Sequence, residues 1–132
     1  LWDGLRNEWA YLTTLANPPF SAGNLPLAAE RFAEAMAADP SQHRFFICLA
    51  APGAGYWVNH LHPHLSAVAW VGRVAFIALR HMTIGKKDPR TLEPGDEVVG
   101  NRSEIAVVYG GPSASTFARV FRLAGIPVSR PA

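Results

Sequence analysis

Asn17-Pro18-Pro19-Phe20 follows directly on the run Tyr11-Leu12-Thr13-Thr14-Leu15-Ala16. Four residues of these types can hold a flat ring that carries an amino group. Asn17 offers a side-chain carbonyl acceptor, and Pro18 offers a backbone carbonyl without an N–H. Two successive prolines fix the backbone, so both acceptors can be held at one point. Phe20 adds an aromatic face, and stacking on such a face is worth ~1–3 kcal/mol per base. Two converging acceptors suit an exocyclic amine. They also favour the positive charge that develops on its nitrogen as it attacks an electrophile. The other reading is that Asn-Pro-Pro merely turns the chain out of a sheet. The tetrapeptide alone leaves both open.

Histidines offer two further constellations. His60, His62 and His64 stand two apart, a spacing that on a strand points side chains to one face and can chelate a metal. No carboxylate or cysteine lies within ten residues of that run, and Pro63 breaks the alternation, so loop histidines without a metal are expected. His64-Leu65-Ser66 and His81-Met82-Thr83 are two His-x-Ser/Thr units. A hairpin at Gly72-Arg73 would set His64 beside His81, as acid, base and phosphate ligands of a two-histidine phosphoesterase. In that family the two units lie much farther apart. The one cysteine, Cys48, sits in Phe45-Phe46-Ile47-Cys48-Leu49 and reads as a small buried hydrophobe rather than a nucleophile.

The elements around these residues read as follows. Residues 11–16 form a short buried strand ended by prolines. Apolar side chains at 25, 28, 29, 32, 35 and 36 mark one helix face, with Pro26 in the first turn and Asp39-Pro40 at the end. Residues 44–51 form a second buried strand closed by Pro52-Gly53. Strand, helix and strand imply a right-handed crossover and a parallel sheet. Residues 56–61 read as a helical turn. Residues 66–71 and 74–79 read as a tight hairpin about Gly72-Arg73, and 86–102 as a polar, mobile loop. Residues 104–109 form another buried strand. Gly110-Gly111-Pro112 leads into a helix over 113–124, which Gly125 ends, and Ile126-Pro127-Val128 trails off.

A chain of 132 residues suits one domain, residues 1–132. Apolar residues make up 49% and charged residues 17%, which excludes a disordered chain. One cysteine excludes a disulfide framework and a four-cysteine zinc site. A formal charge of +2 permits nucleic-acid binding without requiring it. The longest apolar run, 65–79, is interrupted by Arg73 and falls short of the ~20 residues of a membrane span. No signal peptide is visible, so the cytoplasm is the expected compartment.

In the order of its segments the chain resembles the phage-type DNA adenine-N6 methyltransferases. The series runs from Asp3-Gly4-Leu5 and Trp9 to the strand leading into Asn17-Pro18-Pro19-Phe20-Ser21. It continues through the amphipathic helix, the strand over 45–51 and Trp57 after a small-residue loop. Gly72-Arg73-Val74-Ala75-Phe76 follows, and Gly100-Asn101-Arg102-Ser103 precedes the last buried strand. The resemblance covers nearly the whole chain. It implies a Rossmann-like α/β sheet with helices on both faces, S-adenosylmethionine as methyl donor and DNA as partner. In such enzymes Asn17 and the Pro18 carbonyl would hold the target amine, Pro19 would stiffen the turn, and Phe20 would stack on the flipped base. Asp3 would contact the cofactor's adenine amino group with Leu5 packed nearby, and Asn17 would also border the cofactor. Ser21, Arg73, Arg80, Lys86 and Lys87 would face the DNA, with Arg90 in the same basic cluster. The setting implied is a bacterial or phage-infected cell.

One departure shapes the expectation. In such enzymes a strand, a turn and an acidic residue ahead of the Asp-Gly-Leu segment hold the methionine end of the cofactor. The sequence begins at that segment, so the expected sheet lacks its first strands. Ala50 also stands where such proteins often carry proline. The alternatives are a catalytically silent DNA-binding remnant, or a subunit completed by self-association or by a second chain. Gly110-Gly111-Pro112, ahead of a helix, is a further place where an anion could bind.

Overall fold

The computed structural model describes residues 5, 9, 13–21, 23–74, 76–85, 87, 89–98 and 104–131. β1 (Thr14–Ala16), α1 (Asn24–Ala38) and β2 (Arg44–Leu49) form the expected strand-helix-strand unit. β1 and β2 are parallel, from Thr14 opposite Arg44 to Ala16 opposite Phe46. Helix α1 buries Leu25, Ala28, Ala29, Phe32, Ala35 and Met36, the stripe that its spacing dictates. It stops at Asp39, which is extended because Pro40 follows. The Asp39 carboxylate accepts both the N–H and the hydroxyl of Ser41, and those bonds hold its pKa below the usual range.

A helical turn at Trp57–Leu61 leads into β3 (Ala67–Arg73). Two small ladders follow: β4 (Phe76–Ile77) with β7 (Glu97–Val98), and β5 (Met82–Ile84) with β6 (Arg90–Leu92). Then come β8 (Glu104–Gly110), α2 (Ala114–Leu123) and β9 (Val128–Ser129). The main sheet has the order β1-β2-β8-β3-β9. β8 is antiparallel to β2 on one side and to β3 on the other. It follows that β1, β2 and β3 run in one direction and end at a common edge.

The period of two along each strand supplies both faces of the sheet. Phe46, Cys48, Val68, Ala106 and Val108 join α1, Trp9, Trp57 and Leu61 in one core. Ala67, Ala69 and Tyr109 join Phe117 of α2 in the other, with Phe45, Val107 and Phe121 packed around them. Helices therefore cover both faces of the sheet. Cys48 is fully buried, and burial pushes its thiol up to about 12, so it stays protonated and unreactive.

Three expectations are corrected. The sheet is mixed rather than parallel, since only β1 and β2 pair in parallel. No hairpin forms at Gly72-Arg73: β3 runs through both, and the register slips between Trp70 and Gly72. Gly72 has φ +81°, so it serves a β-bulge. A bulge and a tight turn both call for a glycine at positive φ, and the sequence alone does not separate them. The polar stretch 86–102 is not all loop but contributes β6 and β7, which pair locally without the apolar run that marks a core strand. The tail also gains order. Gly125 (φ +76°) donates to the Arg122 carbonyl and Ile126 to the Phe121 carbonyl, the bonds of a Schellman cap. That cap reverses the chain, so β9 pairs with β3 instead of trailing off.

Arg44 is fully buried at the start of β2. Its Nη1 donates to the Asp39 carbonyl at 2.5 Å, while Nε and Nη2 have no partner among the described residues. Burial pulls its pKa down against the nearby Asp39 charge. Gly110 faces it across the ladder. A Cβ there would lie 2.5 Å from Met36 Sδ and 2.8 Å from Phe32 Cζ. Gly110→Ala is therefore expected to cost about 1–3 kcal/mol through overpacking against α1. Urea denaturation would measure it, and an unchanged midpoint would show that α1 yields freely.

Candidate functional site

β1 ends at Ala16, opposite Phe46 and three residues before β2 ends at Leu49. The chain leaves the sheet there through Asn17-Pro18-Pro19-Phe20 and enters α1 at Asn24. Burial divides the tetrapeptide. Asn17 and Pro19 are exposed, Pro18 is buried, and Phe20 is half-buried against the α1 core. The carbonyl of the exposed Ser21 accepts the Leu25 N–H and ties the turn to the helix. The turn is thus fixed at both ends, by the strand and by the helix. Among the described residues, neither the Asn17 amide nor the Pro18 carbonyl has a hydrogen-bond partner. Both acceptors stand on a backbone that is pinned at its two ends.

The loop after β2 adds a wall. The Leu49 carbonyl accepts Trp57 Nε1–H at 3.0 Å and the Tyr56 hydroxyl at 3.2 Å. Trp57 is fully buried and stacks on Trp70 at 5.6 Å and 10°. Burial pushes the Tyr56 phenol pKa up, which keeps it a donor. Between them, Pro52-Gly53-Ala54-Gly55 is small and open; a side chain added at Gly53 would meet nothing within 4 Å. Arg73, exposed, ends β3 opposite Glu104 at this same edge.

The other candidate residues are placed as follows. Leu5 is half-buried on the core cluster that also carries Phe20, and its carbonyl accepts Arg31 Nε–H at 3.1 Å. Asp3 and Lys86 lie outside the described residues. Arg80 and Lys87 are exposed near the small ladders, Arg80 after β4 and Lys87 after β5.

The histidine constellations do not assemble. His60, His62 and His64 lie on the helical turn and the turn after it, not on a strand. His62 Nε2–H donates to the Pro52 carbonyl at 3.2 Å. No group of three or more potential metal ligands occurs among the described residues. With the Gly72-Arg73 hairpin absent, nothing pairs His64 with His81, and His81 instead meets Glu93 at 2.8 Å. Gly110-Gly111 is not an anion cradle either. The Gly111 N–H donates to Ser66 Oγ and the Ser113 N–H to the Tyr109 hydroxyl.

Two features escaped the sequence. A cleft of about 340 Å³ lies between α2 and the sheet, walled by Phe45, Tyr109, Phe117 and Phe121. At its floor His43 Nδ1 and the Tyr109 hydroxyl are 2.8 Å apart. His43 precedes β2, so this cleft sits at the opposite edge from the tetrapeptide and takes no part in its site. The second is an arginine cleft along α2. Its signal is present, since Ser115, Arg119 and Arg122 share a helical stripe.

The chain matches no family model, no curated protein and no solved structure. No described helix is long and apolar enough to cross a membrane.

Proposed function

We propose that the chain is the base-holding part of an S-adenosylmethionine-dependent DNA adenine-N6 methyltransferase with a Rossmann-like sheet. The observation that carries the reading is the pair of acceptors without partners among the described residues, Asn17 and the Pro18 carbonyl, beside the half-exposed ring of Phe20. They stand at the carboxyl end of a strand with a parallel neighbour, the position where open α/β sheets bind ligands.

The mechanism follows from those residues. An adenine must leave the duplex stack to be reached, at a cost of a few kcal/mol. Phe20 would stack on the extruded ring and offset part of that cost. The Asn17 side-chain oxygen and the Pro18 carbonyl would each accept one N6–H. That orients the nitrogen and stabilises the positive charge it gains on attack. When bound, S-adenosylmethionine would supply the methyl group from its sulfonium sulfur and leave as the neutral thioether, while the methylated nitrogen would release one N6 proton to solvent. Leu5, packed on the same core as Phe20, fits a cofactor lying beside the base, with Asp3 as the partner of its adenine end. No side-chain nucleophile is required. Arg73, at the same edge, would contact a phosphate, and Ser21, Arg80, Lys86 and Lys87 are the other residues proposed to face the DNA.

One observation favours completion by more chain. Within the described residues β1 is an edge strand, and its Leu15 is 71% exposed. An edge strand that shows an apolar side chain such as Leu15 suits a further partner. Self-association or a second chain would provide one and could supply the methionine half of the cofactor site.

Calorimetric titration with S-adenosylmethionine, with and without an adenine-containing oligonucleotide, tests the reading. Saturable binding that tightens with the oligonucleotide is expected. A folded sample that binds neither, alone or at concentrations that drive self-association, would remove the enzyme reading.

A further inference from the structure

Helix α2 and the final strand enclose a cleft of about 430 Å³ lined by Ser115, Ala118, Arg119, Arg122, Leu123 and Arg130. Residues 115, 118, 119 and 122 fall on one helical stripe, and β9 brings Arg130 against it. Two of the arginines are braced. Arg122 Nη2 donates to the Val128 carbonyl and Arg130 Nη1 to Ser115 Oγ, each at 3.2 Å. A guanidinium has five N–H donors, so most remain free on both. Among the described residues Arg119 has no partner, and none of the three has a carboxylate partner.

The charge distribution singles out the same place. After Glu104 the chain has three arginines and no acidic residue, while the preceding part has nine basic and ten acidic residues. The formal excess of positive charge therefore resides on this segment. Three guanidinium groups around one shallow opening match the oxygens of a phosphate better than any neutral ligand. The opening is wide and exposed, which suits a chain passing through it rather than an enclosed small molecule.

We propose that this cleft is a nucleic-acid backbone site in which Arg119, Arg122 and Arg130 hold strand phosphates. The choice of nucleic acid as the source of the phosphate rests on the proposed function; the anion site stands on the arginines themselves. β1 and β9 are the two outer strands of the sheet, four strand spacings apart, roughly 19 Å across. Phosphate contacts position a strand without reading its sequence.

The test uses the full chain and a fluorescently labelled oligothymidine, with binding followed by anisotropy over a salt series. Oligothymidine carries no adenine, so failure here and failure of the base-holding reading are scored apart. Replacing all three arginines by glutamine is expected to weaken binding at least ~10-fold at low salt. It should also flatten the plot of log affinity against log salt by about 0.7 for each phosphate left without its arginine. The triple lysine variant keeps the charge and should retain the slope. Circular dichroism and thermal melting check that each variant is folded. Equal slopes for the wild type and the glutamine variant would overturn the site. A lysine variant as weak as the glutamine variant would do the same, because charge would then be irrelevant. Full displacement by inorganic phosphate at constant ionic strength would assign the cleft to a small phosphoanion and overturn the backbone assignment.

Discussion

Asn17→Ala is expected to lower methyl transfer to adenine by about 10²–10³-fold while leaving the melting curve in place. Removing one preorganised partner of a developing charge has that size of effect. The fold should not suffer, because Asn17 is exposed and its amide bonds to nothing among the described residues. Asn17→Asp adds a useful contrast. It keeps an acceptor at the same reach, so it should retain more activity than alanine. The assay is transfer of labelled methyl from S-adenosylmethionine to an oligonucleotide, with any chain needed to complete the cofactor site present. Normal turnover in the alanine variant would sink the base-holding assignment, whatever its effect on DNA affinity. A loss matched by unfolding would place Asn17 in the architecture of the turn instead.

Trp57→Ala is expected to cost the most in stability, about 3–5 kcal/mol. The indole is fully buried, stacks on Trp70 and hydrogen-bonds the Leu49 carbonyl. Truncation opens a cavity between the helical turn and the sheet, and neither α1 nor β3 can close it without moving. A domain of this size is stable by only ~5–15 kcal/mol, so the variant should melt many degrees lower. Trp57→Phe separates the two contributions. It keeps a ring in the core but loses the N–H. The Tyr56 hydroxyl still donates to the same carbonyl, so its cost should be smaller. Chemical denaturation gives both values. A loss under about 1 kcal/mol for the alanine variant would mean that the indole does not support the loop after β2.

Local rules were enough wherever they agreed with a burial pattern. The α1 stripe from Leu25 to Met36 was legible because a helix face repeats every 3.6 residues. β2 and β8 were legible as apolar runs between turn residues, and α2 by its glycine stop. The tetrapeptide was legible as two acceptors and a ring on a rigid backbone, since proline dictates φ whatever surrounds it.

How these pieces meet was settled by folding alone. The folded chain inserts β8 between β2 and β3, reversing the strand direction there, which no local pattern encodes. It makes Gly72 a bulge rather than a turn, and with that it separates His64 from His81. It gives Gly110 its reason, the close approach of Met36 and Phe32 from a helix more than seventy residues earlier. It gathers Arg119, Arg122 and Arg130 by folding β9 back along α2. Each of these depends on contacts between residues far apart in the chain, whose energies are set by packing and strand pairing rather than by neighbours in sequence. Asn17 could be picked out from its own sequence. That its amide and the Pro18 carbonyl stand without partners among the described residues, at the end of a paired strand, is a property of the folded chain.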